Sequence, residues 1–133
     1  MIATLVIANS GRAMADLTRT LCGIPDLEIV RYACGRTGVG ALVRTTDPDL
    51  VLIDDMQSSA DALARLAEVR LAAPAAAVVV LAVDTSAGWL ADALRGGAAA
   101  VLPGSVDAAT LGVVLREAVT QVRRPEIDAS LAA

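Results

Sequence analysis

Two adjacent carboxylates, Asp54 and Asp55, close the run Pro48-Asp49-Leu50-Val51-Leu52-Ile53-Asp54-Asp55. A carboxylate in such a setting can hold a cation or accept a phosphoryl group, provided that neighbours supply further oxygen ligands and positive charge. The residues from Leu50 to Ile53 are apolar without interruption, the pattern of a strand buried on both faces of a parallel sheet. A strand of this kind delivers its last side chain to the carboxyl edge of the sheet, where open α/β sheets bind ligands. The chain contains no Lys and no His, so fixed positive charge at that edge must come from Arg or from a bound ion.

The elements that place Asp54 can be read from periodicity. Five apolar runs, over 3–8, 27–33, 50–54, 77–83 and 99–102, alternate with segments of helical spacing, which predicts a doubly wound α/β fold around a parallel sheet. Asn9-Ser10-Gly11 breaks the first strand before a helix over 12–22 that carries Met14, Leu17 and Leu21 on one stripe. A short helix over 39–45 is the least defined, because Gly35, Gly38 and Gly40 crowd its start. Those glycines have neither dinucleotide-fingerprint nor P-loop spacing. Ser58 or Ser59 opens the next helix, with Leu63, Leu66, Val69 and Arg70 on adjoining faces, and Pro74 ends it. A helix over 89–95 stops at Gly96-Gly97, and Asp107 caps a final helix that carries Leu111, Val114, Leu115, Ala118 and Val122 inward and ends near Arg123-Arg124-Pro125.

Composition narrows the function. A length of 133 residues fits one compact domain. The formal net charge of -4 and the missing Lys argue against a nucleic-acid surface, which needs clustered cations. No apolar stretch approaches the roughly 20 residues of a membrane helix, and the first strand begins too near Met1 for a charged leader, so the expected location is cytoplasmic. Cys22 and Cys34 are expected as buried free thiols. Two Cys without His give no zinc site.

Three segments carry a resemblance: Pro48-Asp49 before the third strand with Asp54 at its tip; Ala93-Leu94-Arg95-Gly96-Gly97-Ala98 before the fifth; and Ser105-Val106-Asp107 opening the last helix. In these the chain resembles the receiver domain of bacterial response regulators, most closely the NarL/FixJ class, over nearly its whole length. The resemblance implies a flavodoxin-like, five-stranded sheet in the order 2-1-3-4-5. It also implies a receiver-like domain over 1–124, with 125–133 as the start of a connector to a LuxR-type helix-turn-helix domain. DNA would then be contacted only through that further domain.

The same resemblance makes Asp54 the phosphoacceptor position and shows what is missing around it. Ala8 and Asn9 stand where the family has an acidic pair that binds Mg2+. Ala82 stands where a Ser or Thr would hydrogen-bond the phosphoryl group, and Gly104, after Pro103, where a Lys would pair with its oxygens. Phosphoryl transfer to a carboxylate needs a divalent cation and fixed donors, so Asp54 reads as a vestigial acceptor with no catalytic residues around it. Asn9, Asp54 and the carbonyl of Met56 offer a weak Mg2+ site at most, and no other cofactor is expected. Asp55 can join Asp54 only if the strand has already ended; otherwise it is a solvated loop carboxylate.

The expected function is regulatory and non-enzymatic: an atypical receiver controlling a transcription factor without conventional phosphorylation. It would act through homodimerisation, through a small-molecule ligand over Ala8, Asn9, Asp54, Ala82 and Gly104, or from a constitutively active state. A sensor kinase as partner stays open. Trp89 reads equally as core or as interface, and Arg95, Arg116, Arg123 and Arg124 as a solvated rim able to pair across a dimer. Two alternatives stand beside this reading: a weak Mg2+-dependent phosphoacceptor in a two-component relay, and a stand-alone adaptor that binds a protein through the Trp89 face.

Overall fold

The computed structural model describes residues 1–8, 11–34, 38–54, 59–82 and 86–123. Its strands are β1 (Ile2–Ala8), β2 (Leu27–Cys34), β3 (Leu50–Asp54), β4 (Ala77–Ala82) and β5 (Ala100–Pro103). They alternate with α1 (Gly11–Leu21), α2 (Gly40–Thr46), α3 (Ser59–Ala72), α4 (Ala87–Arg95) and α5 (Ala108–Arg123). All strand pairs are parallel and the sheet runs β2-β1-β3-β4-β5, as expected. Because the order reverses between β1 and β3, the ligand crevice of such a sheet lies at their carboxyl ends, at Ala8 and Asp54.

The alternation of side chains divides the core into two layers. Leu5, Ile7, Val51, Ile53, Val78, Val80 and Ala82 pack with α2, α3 and α4, through Val43, Leu66, Val69 and Ala93 among others. Val6, Leu50, Leu52, Ala77, Val79 and Leu81 face α1 and α5, where they meet Leu17, Leu21, Leu111, Leu115 and Val119. Each Leu removed from water in this way contributes about 2 kcal/mol. At the amino edge Asp49 stitches three strands: its carboxylate accepts from the Ala3 N–H at 3.1 Å, its own N–H donates to the Ala3 carbonyl, and its carbonyl accepts from Ala77. The Pro48-Asp49 pair is thereby a structural part of the motif, remote from the carboxyl edge.

The short helix α2 gets its start from another element. Glu68 on α3 accepts the Val39 N–H at 2.6 Å and lies 3.3 Å from Arg65. At the other end of the chain Asp107 caps α5, accepting the Thr110 N–H at 2.7 Å. That backbone hydrogen bond, then one from the Thr110 side chain, holds the Asp107 carboxyl below its ordinary value of 3.8. The folded-state value is depressed, so the cap's contribution is complete above the ordinary carboxylate range and is lost as pH falls through the lower, folded-state value. Asp107→Asn retains a capping oxygen but does not titrate there. The gap in urea midpoint between wild type and Asp107→Asn is therefore expected to shrink between about pH 6 and about pH 3.

One expectation is corrected by this architecture. Cys22 and Cys34 are free thiols, but both are exposed. Cys22 follows the last turn of α1, and Cys34 ends the edge strand β2, so neither faces a packed layer. Arg116 lies at the solvated rim and is paired within the chain: its Nε donates to Asp26 at 2.5 Å, tying α5 to the turn before β2. Among the described residues no helix is long and apolar enough to cross a membrane.

Candidate functional site at the carboxyl edge of the sheet

Asp54 ends β3 and is 4% exposed, a carboxyl group within a set of buried described residues that are apolar apart from it and Thr4. The alternation along β3 aims it at the α1/α5 side, with Leu50 and Leu52. Its neighbours in register are Ala8 on β1 and Leu81 on β4. Val6 and Leu81 belong to the same layer, so Ala8 and Leu81 flank Asp54 on its own face with a methyl and an isobutyl group.

The carboxylate opens into a cleft between α1 and α5 with room of about 140 Å³. Asp16, Leu17 and Thr20 of α1 line it, with Leu81, Gly104, Val106 and Leu111 from β4, the turn after β5, and α5. Gly104 sits in that turn because Pro103 closes β5, and its N–H donates to the Ala82 carbonyl at 3.3 Å. Asp16 is exposed and its ion pair with Arg19 spans 4.0 Å, a pair of little energetic weight at the surface. Among the described residues no group of three or more Cys, Asp or Glu could hold a metal ion.

Of the residues expected here, the structure brings Asp54 and Gly104 into one cleft. Ala8 adjoins Asp54 in register but is covered, 1% exposed. Ala82 belongs to the other layer, with Trp89, Ala93 and Ala98, because one step along a strand reverses the face. Asn9, Asp55 and Met56 lie outside the described residues, and so do Arg124 and the connector over 125–133. The cleft residues Asp16, Leu17, Thr20, Leu81, Val106 and Leu111 are additions to the expected set. The α1 stripe and the period of β4 carried the signal for Leu17 and Leu81; nothing in spacing alone pointed to Asp16 or Val106.

Of the two readings of Trp89, the structure places it in the core: it is 8% exposed and packs in the α3/α4 layer. Ser86, whose hydroxyl accepts the Trp89 N–H at 3.4 Å, opens α4 above it. Arg95 pairs with Asp92 one turn earlier at 2.7 Å, with both side chains well exposed.

The parallel sheet in this order, with helices on both faces, superimposes on the signal receiver domain of the response regulator NarL from Mycobacterium tuberculosis with a TM-score of 0.71. That match covers 90% of this chain and 96% of the other at 18% identity. The chain has the receiver fold of response regulators. The same fold matches a pilus assembly-related protein from Burkholderia pseudomallei K96243, with TM-score 0.71 and 24% identity over 91% of each chain. In sequence, the receiver-fold chain is 32% identical over 138 residues to protein-glutamate methylesterase/protein-glutamine glutaminase 3 of Anaeromyxobacter dehalogenans strain 2CP-C. The alignment covers 95% of this chain and 40% of that protein, so the chain spans well under half of the relative's length. No family model matches the chain.

Proposed function

We propose that this chain is an atypical receiver module, non-enzymatic, that switches an output function without phosphorylation of Asp54. The observation that carries the reading is the register at the carboxyl edge: Asp54 stands between Ala8 and Leu81, with Gly104 opposite, and none of the three offers a side-chain oxygen or a cation. Among the described residues that line the cleft, a phosphoryl group would meet the Asp16 carboxylate, apolar side chains and the Thr20 hydroxyl but no cation, which raises the barrier for transfer. A switch freed from phosphate needs another binding event that favours one of its states, and the cleft against Asp54 is the place for it.

The output is proposed to be transcriptional, through a DNA-binding domain attached beyond α5, in line with the likeness to NarL. Dimerisation would draw on apolar contact from Leu94 on α4 and Val113 on α5, both exposed, more than on Arg95 or Arg116, which are paired within the chain. The likeness to a pilus assembly-related protein favours a second output, a protein adaptor, for the same phosphate-independent module. A weak Mg2+-dependent acceptor remains the competing chemistry at Asp54. Incubation with acetyl phosphate and Mg2+ decides between them: Asp54 is expected to stay unmodified.

A further inference from the structure

We propose that the outer edge of β2 pairs, antiparallel and across a two-fold axis, with β2 of a second copy of this chain. The sheet has two edge strands, β2 and β5. β5 has four residues and ends at Pro103, a short, proline-marked edge of the kind that resists pairing. β2 runs for eight residues without a Pro, and among the described residues only β1 pairs with it. Its outer side therefore presents backbone donors and acceptors that another strand can take.

An irregularity in β2 selects the partner. The register with β1 sets Ala3 against Glu28 and Thr4 against Ile29, then skips Val30 and sets Leu5 against Arg31. Paired residues of neighbouring strands share a face, so Glu28 and Arg31 both stand on the face of Leu5, and Leu27, Ile29 and Tyr32 on the face of Val6. In a regular strand, residues three apart lie on opposite faces. Because of the bulge, an antiparallel two-fold pairing can set Glu28 opposite Arg31 of the second copy, and Arg31 opposite its Glu28. The same register sets Leu27 opposite Tyr32 and brings Ile29 and Val30 of both copies together at the axis. Two symmetric charge pairs then flank an apolar centre, the form of a self-complementary two-fold contact. Glu28 and Arg31 are exposed, and among the described residues neither has an ion-pair partner within the chain. A strand of another sequence would have to reproduce both charges at this spacing, whereas a second copy supplies them by symmetry. The paired area is small, so the dissociation constant is expected in the micromolar to millimolar range. This surface is separate from Leu94 and Val113 and goes beyond the reading of Asp54.

Sedimentation equilibrium of the wild-type chain and of two charge reversals, Glu28→Arg and Arg31→Glu, tests this. Each reversal sets like charges opposite each other in both pairs and is expected to weaken association by at least about tenfold. An equimolar mixture of the two reversed chains is expected to recover the wild-type affinity, because each then meets its opposite. Amide hydrogen exchange along β2 is expected to slow as the wild-type chain is concentrated, which reports backbone pairing. Association through Leu94 and Val113 instead would be unmoved by either reversal. That result, a wild type still monomeric at about 1 mM chain, a mixture no tighter than the reversed chains alone, or β2 amides that exchange no more slowly on association would each overturn the proposal. None of these outcomes bears on phosphorylation of Asp54, so the two claims fail separately.

Discussion

Replacing Ala8 by Asp is expected to cost about 3 kcal/mol of stability in metal-free buffer, and Mg2+ is expected to restore most of it. Ala8 is 1% exposed and lies in register with Asp54. Paired strands are about 4.8 Å apart, so the new carboxylate would stand beside Asp54 on the same buried face. Two carboxylates at that distance disfavour double ionisation, and removing the second from water adds to the penalty. A divalent cation that binds only the folded state gives back stability by mass action, about 2.7 kcal/mol at one hundred times its dissociation constant. Urea unfolding of wild type and Ala8→Asp, each with chelator and with Mg2+, reads both terms. Ala8→Asn, which adds the bulk without the charge, is expected to lose less and to gain nothing from Mg2+. If Mg2+ stabilises wild type as strongly as Ala8→Asp, the site already holds a competent metal centre and the account of its chemistry is wrong.

The second large effect is at Gly97, where substitution by Ala is expected to cost about 2–3 kcal/mol. Gly97 has φ +104°, a conformation that L side chains rarely adopt. It ends α4 in a paired motif: the Ala98 N–H donates to the Ala93 carbonyl, and the Gly97 N–H to Leu94. A Cβ there would come within 2.7 Å of Arg70 Nε and 2.9 Å of its Cδ. Arg70 has little freedom to withdraw, because its guanidinium donates to the carbonyls of Pro74 and Ala76 at the end of α3. The substitution therefore combines backbone strain with displacement of Arg70 from the Pro74 and Ala76 carbonyls. In a double-mutant cycle, Arg70→Ala is expected to recover the contact part of the loss and leave the strain. A Gly97→Ala chain with unchanged urea midpoint would show that the turn relaxes freely.

Much of this fold was legible because its strands are unbroken apolar runs, and only a strand covered on both faces needs that pattern. All five strands fall within one or two residues of their expected bounds. The helix cap at Asp107 and the stop at Gly96-Gly97 were legible too, because each acts within one turn of its own helix. α2 was the least defined because the group that starts it, Glu68, is 29 residues away on α3. No local pattern encodes such a contact.

The candidate site was legible at Asp54 and Gly104 and less so around them. Ala82 was expected beside Asp54 by motif position, whereas the period of two along β4 gives that face to Leu81. Cys22 and Cys34 show the limit of composition: an apolar residue type at a helix end or on an edge strand is not thereby buried. Trp89 could not be assigned from sequence because an amphipathic ring at a helix start suits core and interface alike, and only the packing against Ala82 and Ala93 settles its place.

The most direct test of phosphate independence is the intact mass of the chain after incubation with acetyl phosphate and Mg2+, with Asp54→Asn in parallel. An unchanged mass in both is the expected result. A stoichiometric gain of one phosphoryl group in wild type, absent from Asp54→Asn, would contradict it.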